Sequence, residues 1–206
     1  MVEEYFKIFD EDRNEIGVAS RTDVHKLGYW HETFHCWFVS QHDERDSIYL
    51  QLRSDTKKDY PSLLDITVAG HLSAEEKVED GIREIQEEVG MDLPFQELES
   101  LGVLEYCVVQ EGFIDKELAN VFLYKSKHRL DTFMVQPDEV SGVVSTGFSD
   151  FCELWLGDRE SVVVEGFIVD SEGKRRIYSK EVTRNDFVPH GIPFYKQVIQ
   201  KIKERL

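Results

Sequence analysis

Apolar and polar residues alternate along the first third of the chain in a pattern typical of β-strands. Residues 4–19 alternate around a polar turn sequence, which predicts a β-hairpin. A short helix is expected at 22–27. Two runs rich in aromatic and β-branched residues, 34–39 and 47–52, are separated by the polar segment 41–46 and predict a second strand pair.

The remaining apolar runs predict a chain that mixes strands with helices. A strand is expected at 65–68, directly before a glycine and an acidic helix. Further strands are expected at 101–109, 118–124 and 140–146, and a helix at 148–156. A second hairpin is expected at 161–182 and a final helix at 194–206. Strands with helices on either side predict an α/β fold, an α/β/α sandwich with a mixed sheet.

One segment carries apolar residues at the helical period and acidic residues between them. Val78, Ile82, Ile85 and Val89 would form the face that packs on a core. The acidic residues of the opposite face lie on neighbouring turns, at Glu84, Glu87 and Glu88. Three carboxylates in this arrangement can reach one hard cation, and Mg²⁺ or Mn²⁺ prefers such oxygen ligands. A solvated acidic helix is the alternative for such a stretch.

The acidic helix belongs to a longer pattern, Gly70-x4-Glu75-x7-Arg83-Glu84-Ile85-x-Glu87-Glu88-x-Gly90-Met91. Arg83 can pair with Glu75 or Glu79 and so brace the preceding loop against the helix. Gly90 is well placed to end the helix. Gly81 predicts close packing at mid-helix, because glycine costs up to about 1 kcal/mol of helix propensity.

This pattern resembles the signature of the Nudix hydrolases, which cleave diphosphate compounds with Mg²⁺ or Mn²⁺. The resemblance covers residues 33–156 and implies the sandwich fold, with Glu84, Glu87 and Glu88 as metal ligands. It makes Glu75 the partner of Arg83. The family's loop has one residue more before its first glutamate, and Glu76 would restore that spacing, but the helical register favours Glu75. Residues 159–206 would form a family-specific extension of a single domain, 1–206.

Composition narrows the possible partners. The formal net charge of −17 argues against binding to nucleic acid or to anionic membranes.

No apolar run approaches the ~20 residues that span a bilayer, and the first residues lack the features of a secretion signal, so we expect a cytoplasmic protein. The three widely spaced cysteines are expected to be reduced. Dimers are common in the family, so a homodimer is one expectation.

A second stretch narrows the resemblance to isopentenyl diphosphate isomerases, which share the Nudix fold. Asp65-Ile66-Thr67-Val68-Ala69-Gly70-His71 is similar to the corresponding stretch of those enzymes. His25-x5-His31 resembles their paired metal-binding histidines, and Asp115-x-Glu117 resembles their acidic pair. The resemblance therefore implies that His25, His31, His71, Asp115 and Glu117 could converge near the acidic helix. Ala69 differs, because the isomerases carry there the cysteine that transfers the proton, and a methyl group cannot do so.

For several of these residues, a structural role is the alternative to a role in binding or catalysis. Glu117 could bind metal or activate water, or could face solvent on an edge strand. His71 could touch phosphate or metal, or only hydrogen-bond within its loop, and a structural role is favoured for His25 and His31. Arg53 could contact a phosphate or form a surface salt bridge of small value.

The hypothesis that follows is a metal-dependent hydrolase acting on a nucleoside diphosphate linked to a group X, or on another organic diphosphate. Glu87 or Glu88 would take the proton of the attacking water, with Glu117 as the competitor. The alternatives are an isomerase, which Ala69 disfavours, and a non-catalytic module that binds a phosphorylated metabolite. The identity of X stays open at this point.

Overall fold

Eleven strands form one sheet in the part of the chain that the computed structural model describes, residues 3–40 and 45–206. In chain order they are β1 (Tyr5–Phe9), β2 (Glu15–Ser20), β3 (Trp30–Ser40), β4 (Ser47–Arg53), β5 (Leu64–Asp65), β6 (Val68–His71), β7 (Glu99–Gln110), β8 (Phe113–Ser126), β9 (Val140–Gly147), β10 (Val162–Val169) and β11 (Arg175–Val182).

The described part of the chain also contains four α-helices: α1 (Arg21–Leu27), α2 (Arg83–Val89), α3 (Phe148–Leu156) and α4 (Ile192–Lys203). Short 3₁₀ helices lie at Val78–Ile82, Phe95–Glu97, Leu130–Thr132 and Arg184–Asp186. Within the described ranges, no helix has the length and apolar character that crossing a bilayer requires.

Strand β3 is the centre of the sheet. It runs parallel to β8 along its whole length. Its other edge pairs antiparallel with β6 and then with β4. The sheet continues from β4 through β9 and β10 to β11, and β7 pairs with the far side of β8. The sheet is therefore mixed, as predicted, and the hairpin at 161–182 joins it.

The side chains of β3 point alternately into two cores. Phe34, Cys36 and Phe38 belong to the core that Ile85 and Val89 of α2 cover. Trp37 and Val39 belong to the opposite core, where α3 and α4 contribute Phe151, Val198 and Ile202. One helix thus covers one face and two helices cover the other, which confirms the α/β/α sandwich.

The strands, hairpins and helices predicted from hydrophobic patterning are present, with small differences at their ends. The connection between β3 and β4 was predicted to be the polar segment 41–46, of which residues 41–44 lie outside the described residues. The final helix begins at Ile192 and ends at Lys203, so it starts two residues before the predicted position and ends three before it.

The strand predicted at 65–68 is interrupted, and this is a correction. Residues 64–65 pair with β4, whereas 68–71 pair with β3. The hydroxyl of Thr67 donates to Tyr49 O at 2.5 Å and accepts from Phe38 N at 3.0 Å. A side chain here takes the place of backbone ladder bonds, so the chain can pass from one partner strand to another.

The acidic segment is also divided. Residues 78–82 form a 3₁₀ helix and only Arg83–Val89 are α-helical, with Gly90 in the left-handed conformation at the end. Gly90 ends the helix, as predicted. The change of helix type alters the direction in which each side chain points, because a 3₁₀ helix has about 3.0 residues per turn and an α-helix about 3.6.

Gly81 lies against the sheet, which confirms the close packing predicted for it. A Cβ atom at this position would lie 2.7 Å from Cβ and Cγ of Phe34, a fully buried residue of β3. The 3₁₀ helix can approach β3 this closely only because position 81 has no side chain.

We therefore expect Gly81→Ala to lower the free energy of unfolding by about 1–3 kcal/mol, the usual cost of an overpacked core. Urea unfolding would measure the difference. Glu79→Ala is the matched control, since Glu79 lies in the same 3₁₀ helix but is exposed. Equal stability of Gly81→Ala and the wild-type protein would show that Phe34 moves without cost.

Candidate functional site

One cavity of about 630 Å³ contains most of the residues singled out by the sequence. Its wall is built from the strand ends around β3, from α1 and α2, and from the segment that follows β11. The predicted residues that line it are His25, Arg53, Gly70, His71, Arg83, Glu84, Glu87, Glu88, Asp115 and Glu117. The acidic helix and the histidine set were predicted to converge, and His25, His71, Asp115 and Glu117 do share one cavity with the α2 glutamates, while His31 does not line it.

Helix α2 places its three glutamates in different environments. Glu88 is buried, and its Oε2 accepts hydrogen bonds from Ala69 N at 3.0 Å and Gln51 Nε2 at 3.2 Å. Glu84 is largely buried, whereas the Glu87 side chain is 53% exposed. The carboxylates thus extend from the floor of the cavity towards solvent along one face of the helix.

Gly70 allows Glu84 to lie directly over strand β6. A Cβ atom at position 70 would be 2.1 Å from Cδ of Glu84, which is closer than any real contact. Any other residue would push this carboxylate away from its neighbours. Gly70 lies within strand β6, so the position of Glu84, and not a turn, is what requires a glycine here.

Arg83 joins the loop to the helix, but through Glu76 and not through Glu75, which corrects the expectation. Its Nε and Nη2 donate to the two oxygens of Glu76 at 2.5 and 3.1 Å. It also donates to Glu84 at 2.7 Å, to Glu87 at 3.0 Å and to His71 O at 3.2 Å.

The reason for the error is the 3₁₀ helix at Val78–Ile82. The choice of Glu75 assumed a continuous α-helical register up to Arg83, and that register does not exist. The loop instead turns at Ser73, whose N–H donates to Glu76 Oε2 at 2.7 Å, so Glu76 faces Arg83 while Glu75 is exposed. The alignment that keeps the family's loop spacing was the better one.

Burial controls the charge of the α2 carboxylates. It raises the pKa of Glu84 to about 7, in spite of Arg83 nearby, and raises the pKa of Glu88 well above its usual range. The repulsion between Glu84 and Glu88 adds to the shift at Glu88. A hard divalent cation fits this donor set, because oxygen ligands are what it prefers and its charge would stabilise the ionised carboxylates.

The second group is a buried cluster of histidines and carboxylates. Ligand atoms of His25, His31 and His71 lie within 4.8 Å of one another, and so do those of His31, Asp115 and Glu117. Asp115 Oδ1 is 3.5 Å from His25 Nε2 and 3.6 Å from His31 Nε2. The imidazole of His71 packs against Phe6 and His31, whose ring centroids lie 4.7 and 5.2 Å from its own.

Buried ligand atoms without a hydrogen-bond partner indicate that this cluster can hold a metal ion. His31 Nε2, His71 Nε2 and Asp115 Oδ1 are buried atoms without a hydrogen-bond partner among the described residues. Burial lowers the pKa of His31, and lowers that of His71 well below its usual range. Neutral imidazoles carry the lone pair that a metal requires.

Glu117 connects this cluster to a third set of side chains. Its Oε2 accepts from Thr33 Oγ1 at 2.7 Å and lies 3.1 Å from His35 Nε2. Burial favours the neutral acid, but the hydrogen bond and charge of His35 outweigh it and hold the pKa of Glu117 well below its usual range. Strand β8 lies between β3 and β7, so the edge-strand position considered for Glu117 is wrong.

Basic side chains of the cavity already have acidic partners. Arg53 donates to Asp65 Oδ2 at 2.8 Å and to the backbone oxygen of Asp59. Asp65 is buried, so the surface salt bridge considered for Arg53 is also wrong. Lys57 forms an ion pair with Glu139 and lines the same cavity. An anionic ligand would therefore compete with carboxylates for these cations.

The sequence reasoning missed His190. This residue lines the cavity, and its Nε2 lies 2.7 Å from Asp65 Oδ1. The two residues are 125 positions apart, and the sequence carries no local pattern that links them. The only signal was the Pro189-His190-Gly191 sequence, which marks a turn.

Several known proteins are similar to this chain in sequence. No family model matches the chain. An uncharacterised Nudix hydrolase of Clostridium acetobutylicum is 36% identical over 204 residues, which cover 99% of each chain. Nudix hydrolase 3 of Arabidopsis thaliana is 34% identical over 73% of this chain, which spans only 20% of that longer protein. The isopentenyl-diphosphate Δ-isomerase 2 of Photorhabdus laumondii is 27% identical over 59% of this chain and 67% of the isomerase.

Solved structures agree with the architecture. A protein of Deinococcus radiodurans superposes with a TM-score of 0.56 at 17% identity, covering 75% of this chain and 90% of the other. The Nudix domain of Shewanella oneidensis NrtR, solved with ADP-ribose, gives a TM-score of 0.52 at 14% identity, with 84% and 86% covered. At such identities these matches show the fold.

The corrected ion pair can be tested by pH-dependent stability. The hydrogen bonds from Arg83 lower the pKa of Glu76 from 4.5 to about 2, so the contribution of the pair is present above pH 4.5 and is lost as the pH falls towards 2. We expect Glu76→Gln to lower the unfolding free energy by about 1 kcal/mol at pH 7, since the pair is partly exposed.

In urea unfolding the difference between Glu76→Gln and wild type should disappear between pH 4.5 and 2. Glu75→Gln, next to it in the sequence and exposed, should match the wild-type protein throughout. An effect of Glu75→Gln equal to that of Glu76→Gln would contradict the assignment.

Proposed function

We infer the reaction of this protein from one established fact, that the chain belongs to the Nudix hydrolase family. Membership implies an enzyme that hydrolyses a pyrophosphate bond. We propose that this chain acts on an X-diphosphate and requires Mg²⁺ or Mn²⁺. The observation that carries the proposal is the single cavity in which the three α2 carboxylates meet Arg53 and Lys57.

Each part of the cavity has a task in this reaction. Glu84, Glu87 and Glu88 would hold the cation, which supplies neutralisation of the diphosphate and a lowered pKa of the attacking water. Arg53 and Lys57 would exchange a carboxylate partner for a phosphate oxygen and so orient the diphosphate. The loop that Arg83 ties down keeps the α2 carboxylates in place while substrates enter and leave.

Three residues are candidates for the base that accepts the proton of water. Glu87 is the most exposed of the α2 carboxylates and can exchange protons with solvent. Glu88 is held by two hydrogen bonds, from Ala69 N and Gln51. Glu117 is buried and ionised on the other side of the cavity. Glu87 or Glu88 stays our first choice, with Glu117 as the competitor.

The histidine cluster is proposed as a second metal centre. Its donors are imidazoles and carboxylates, a set that suits Mn²⁺ or Zn²⁺ better than Mg²⁺. His25, His31 and His71 would supply nitrogen, and Asp115 and Glu117 would supply oxygen. An ion there would give the unpartnered buried atoms of His31, His71 and Asp115 a partner.

Isomerisation of an isoprenoid diphosphate is the second candidate, and the 27% identity with an isomerase is what favours it. Ala69 argues against it. Residue 69 lies in β6 with its N–H bound to Glu88, and its methyl group cannot transfer a proton. A non-catalytic role remains the third candidate, but a pure binding module does not need three mutually repelling carboxylates on one helix.

The group X stays open, with nucleotides, sugar nucleotides and isoprenoids as candidate classes. ADP-ribose, the molecule solved with the Shewanella Nudix domain, belongs in a substrate panel. We further propose that the chain is one domain, that it works in the cytoplasm and that it can form a homodimer. The extension at 159–206 would then be part of the same catalytic unit.

Turnover measurements test the role of the α2 carboxylates. Hydrolysis of a panel of nucleoside, sugar-nucleotide and isoprenoid diphosphates, followed by chromatography of the phosphorylated products, should require Mg²⁺ or Mn²⁺ and stop with chelator. Glu87→Gln and Glu88→Gln should each lower kcat on the order of 10²–10⁴-fold, the usual contribution of a positioned acid–base group.

Glu79→Gln is the matched control, since Glu79 is exposed and precedes α2. Its turnover should equal that of the wild-type protein. Far-UV circular dichroism and thermal unfolding would check that each variant is folded. Full turnover in a folded Glu87→Gln and a folded Glu88→Gln would remove the α2 carboxylates from the mechanism.

The number of bound ions tests the second metal centre. Protein equilibrated with Mn²⁺ should retain more than one ion per chain, counted by mass spectrometry after buffer exchange. Asp115→Asn removes a charged ligand without changing shape, so it should lose about one ion and keep the others. Asp131→Asn, at an exposed aspartate outside the cavity, should lose none. Equal ion counts in Asp115→Asn and wild type would contradict a metal at the histidine cluster.

A further inference from the structure

His190 is brought to the cavity by the segment that follows β11. Phe187 bridges to Leu64, and the N–H of Val188 donates to Leu64 O at 2.9 Å. Tyr195 of α4 donates to Val188 O at 2.8 Å. These contacts fix the segment beside β5, so the position of His190 is set by the fold and not by a mobile loop.

Asp65 then fixes the imidazole ring. Its Oδ1 accepts from Ile66 N at 2.8 Å and lies 2.7 Å from His190 Nε2, while its Oδ2 accepts from Arg53 at 2.8 Å. Burial would favour the neutral acid, but His190 and Arg53 outweigh it and hold the pKa of Asp65 at about 2. Asp65 is therefore ionised at neutral pH, and Nε2 of His190 donates to it.

The other ring nitrogen, Nδ1, has no partner among the described residues. The His190 side chain is 7% exposed, yet it lines the cavity. Tyr106 and Phe194 hold the ring from two sides, with centroid distances of 4.9 and 5.3 Å. A buried polar atom left without a hydrogen-bond partner destabilises the fold, so its presence in a cavity wall indicates that a ligand atom binds there.

The cavity that His190 lines contains cations as well as carboxylates, and the cations indicate the kind of ligand atom that Nδ1 would meet. Arg53 shares Asp65 with His190, and Lys57 and Lys58 line the same cavity. Gln51, opposite Asp65 in the β4–β5 pair, donates to Glu88 of the proposed metal site. His190 contacts Asp65, which lies opposite Gln51, and Gln51 contacts Glu88, so two side chains separate His190 from the α2 carboxylates.

We propose that His190 is a substrate-binding residue, and that its ring, held through Nε2 by Asp65, donates a hydrogen bond from Nδ1 to an oxygen of the diphosphate. The inference rests on the proposed function, because it assumes that the cavity binds a diphosphate. It adds a binding group that comes from the C-terminal part of the chain. Asp65 acts through this ring as a positioning residue.

His35 has the same appearance but carries no separate inference. Its Nε2 lies 3.1 Å from Glu117, and its Nδ1 is also unpartnered among the described residues. Glu117 belongs to the proposed histidine metal centre, so binding of an ion there would change the surroundings of His35. The partner of His190, Asp65, is not a ligand in either proposed centre.

One substitution separates binding from structure. In His190→Gln the amide nitrogen can take the place of Nε2 and keep the bond to Asp65, while the group at Nδ1 is lost. His128→Gln is the matched control, since His128 is exposed and does not line the cavity.

The probe is methylenediphosphonate with Mg²⁺, a diphosphate analogue that has no group X and cannot be hydrolysed. Isothermal titration calorimetry should show binding to the wild-type protein and to His128→Gln. His190→Gln should bind about tenfold or more weakly at an unchanged melting temperature, as expected for a hydrogen bond to a charged group.

Equal affinity of a folded His190→Gln and the wild-type protein would overturn the inference and leave the proposed function intact. Failure of the wild-type protein to bind the analogue would overturn both. If His190→Gln does not fold, ¹⁵N-histidine labelling of the wild-type protein gives the answer. Addition of the analogue should then produce a protected Nδ1–H signal from a doubly protonated ring paired through Nε2, and its absence would contradict the contact.

Discussion

Glu88 has a buried carboxylate that accepts hydrogen bonds from two neutral groups, and much of the site exists to keep that carboxylate and its neighbours together. Glu84 and Glu88 repel each other, and burial raises the pKa of both. Arg83 offsets part of the repulsion, because it contacts Glu84 and Glu87 while it ties Glu76 of the preceding loop to the helix. The absent side chain of Gly70 leaves room for Glu84. A divalent cation would complete this balance of charge.

The same cavity contains a second set of donors with the opposite character. The α2 site is built from carboxylates whose charge Arg83 balances only in part, whereas the histidine cluster contains buried ring nitrogens of His31 and His71 that have no hydrogen-bond partner among the described residues. The central strand β3 joins the two, since His31, Thr33 and His35 point to the cluster while Phe34 packs under the 3₁₀ helix before α2. The segment after β11 closes the cavity with His190, so the extension contributes to the site as well as to the sheet.

Hydrophobic periodicity predicted most strands and helices, because each has one face buried in a core and one face turned away from it. It failed where a side chain replaced the backbone ladder, at Thr67, and where a 3₁₀ turn replaced an α-helical one, at Val78–Ile82. The second failure led directly to the choice of Glu75 over Glu76. The α2 carboxylates could be found because their spacing is local. The pair of Asp65 and His190 could not, since only the folded sheet brings them together.

The central claim is that the α2 carboxylates hold the cation that the reaction requires. Anomalous diffraction from crystals grown with Mn²⁺ and methylenediphosphonate would test it most directly, because it locates each ion without reference to activity. The account predicts an ion coordinated by oxygens of Glu84, Glu87 and Glu88 and in contact with the analogue. The account would be contradicted if the protein is active with Mn²⁺ while its crystals show ions elsewhere and none at these three residues.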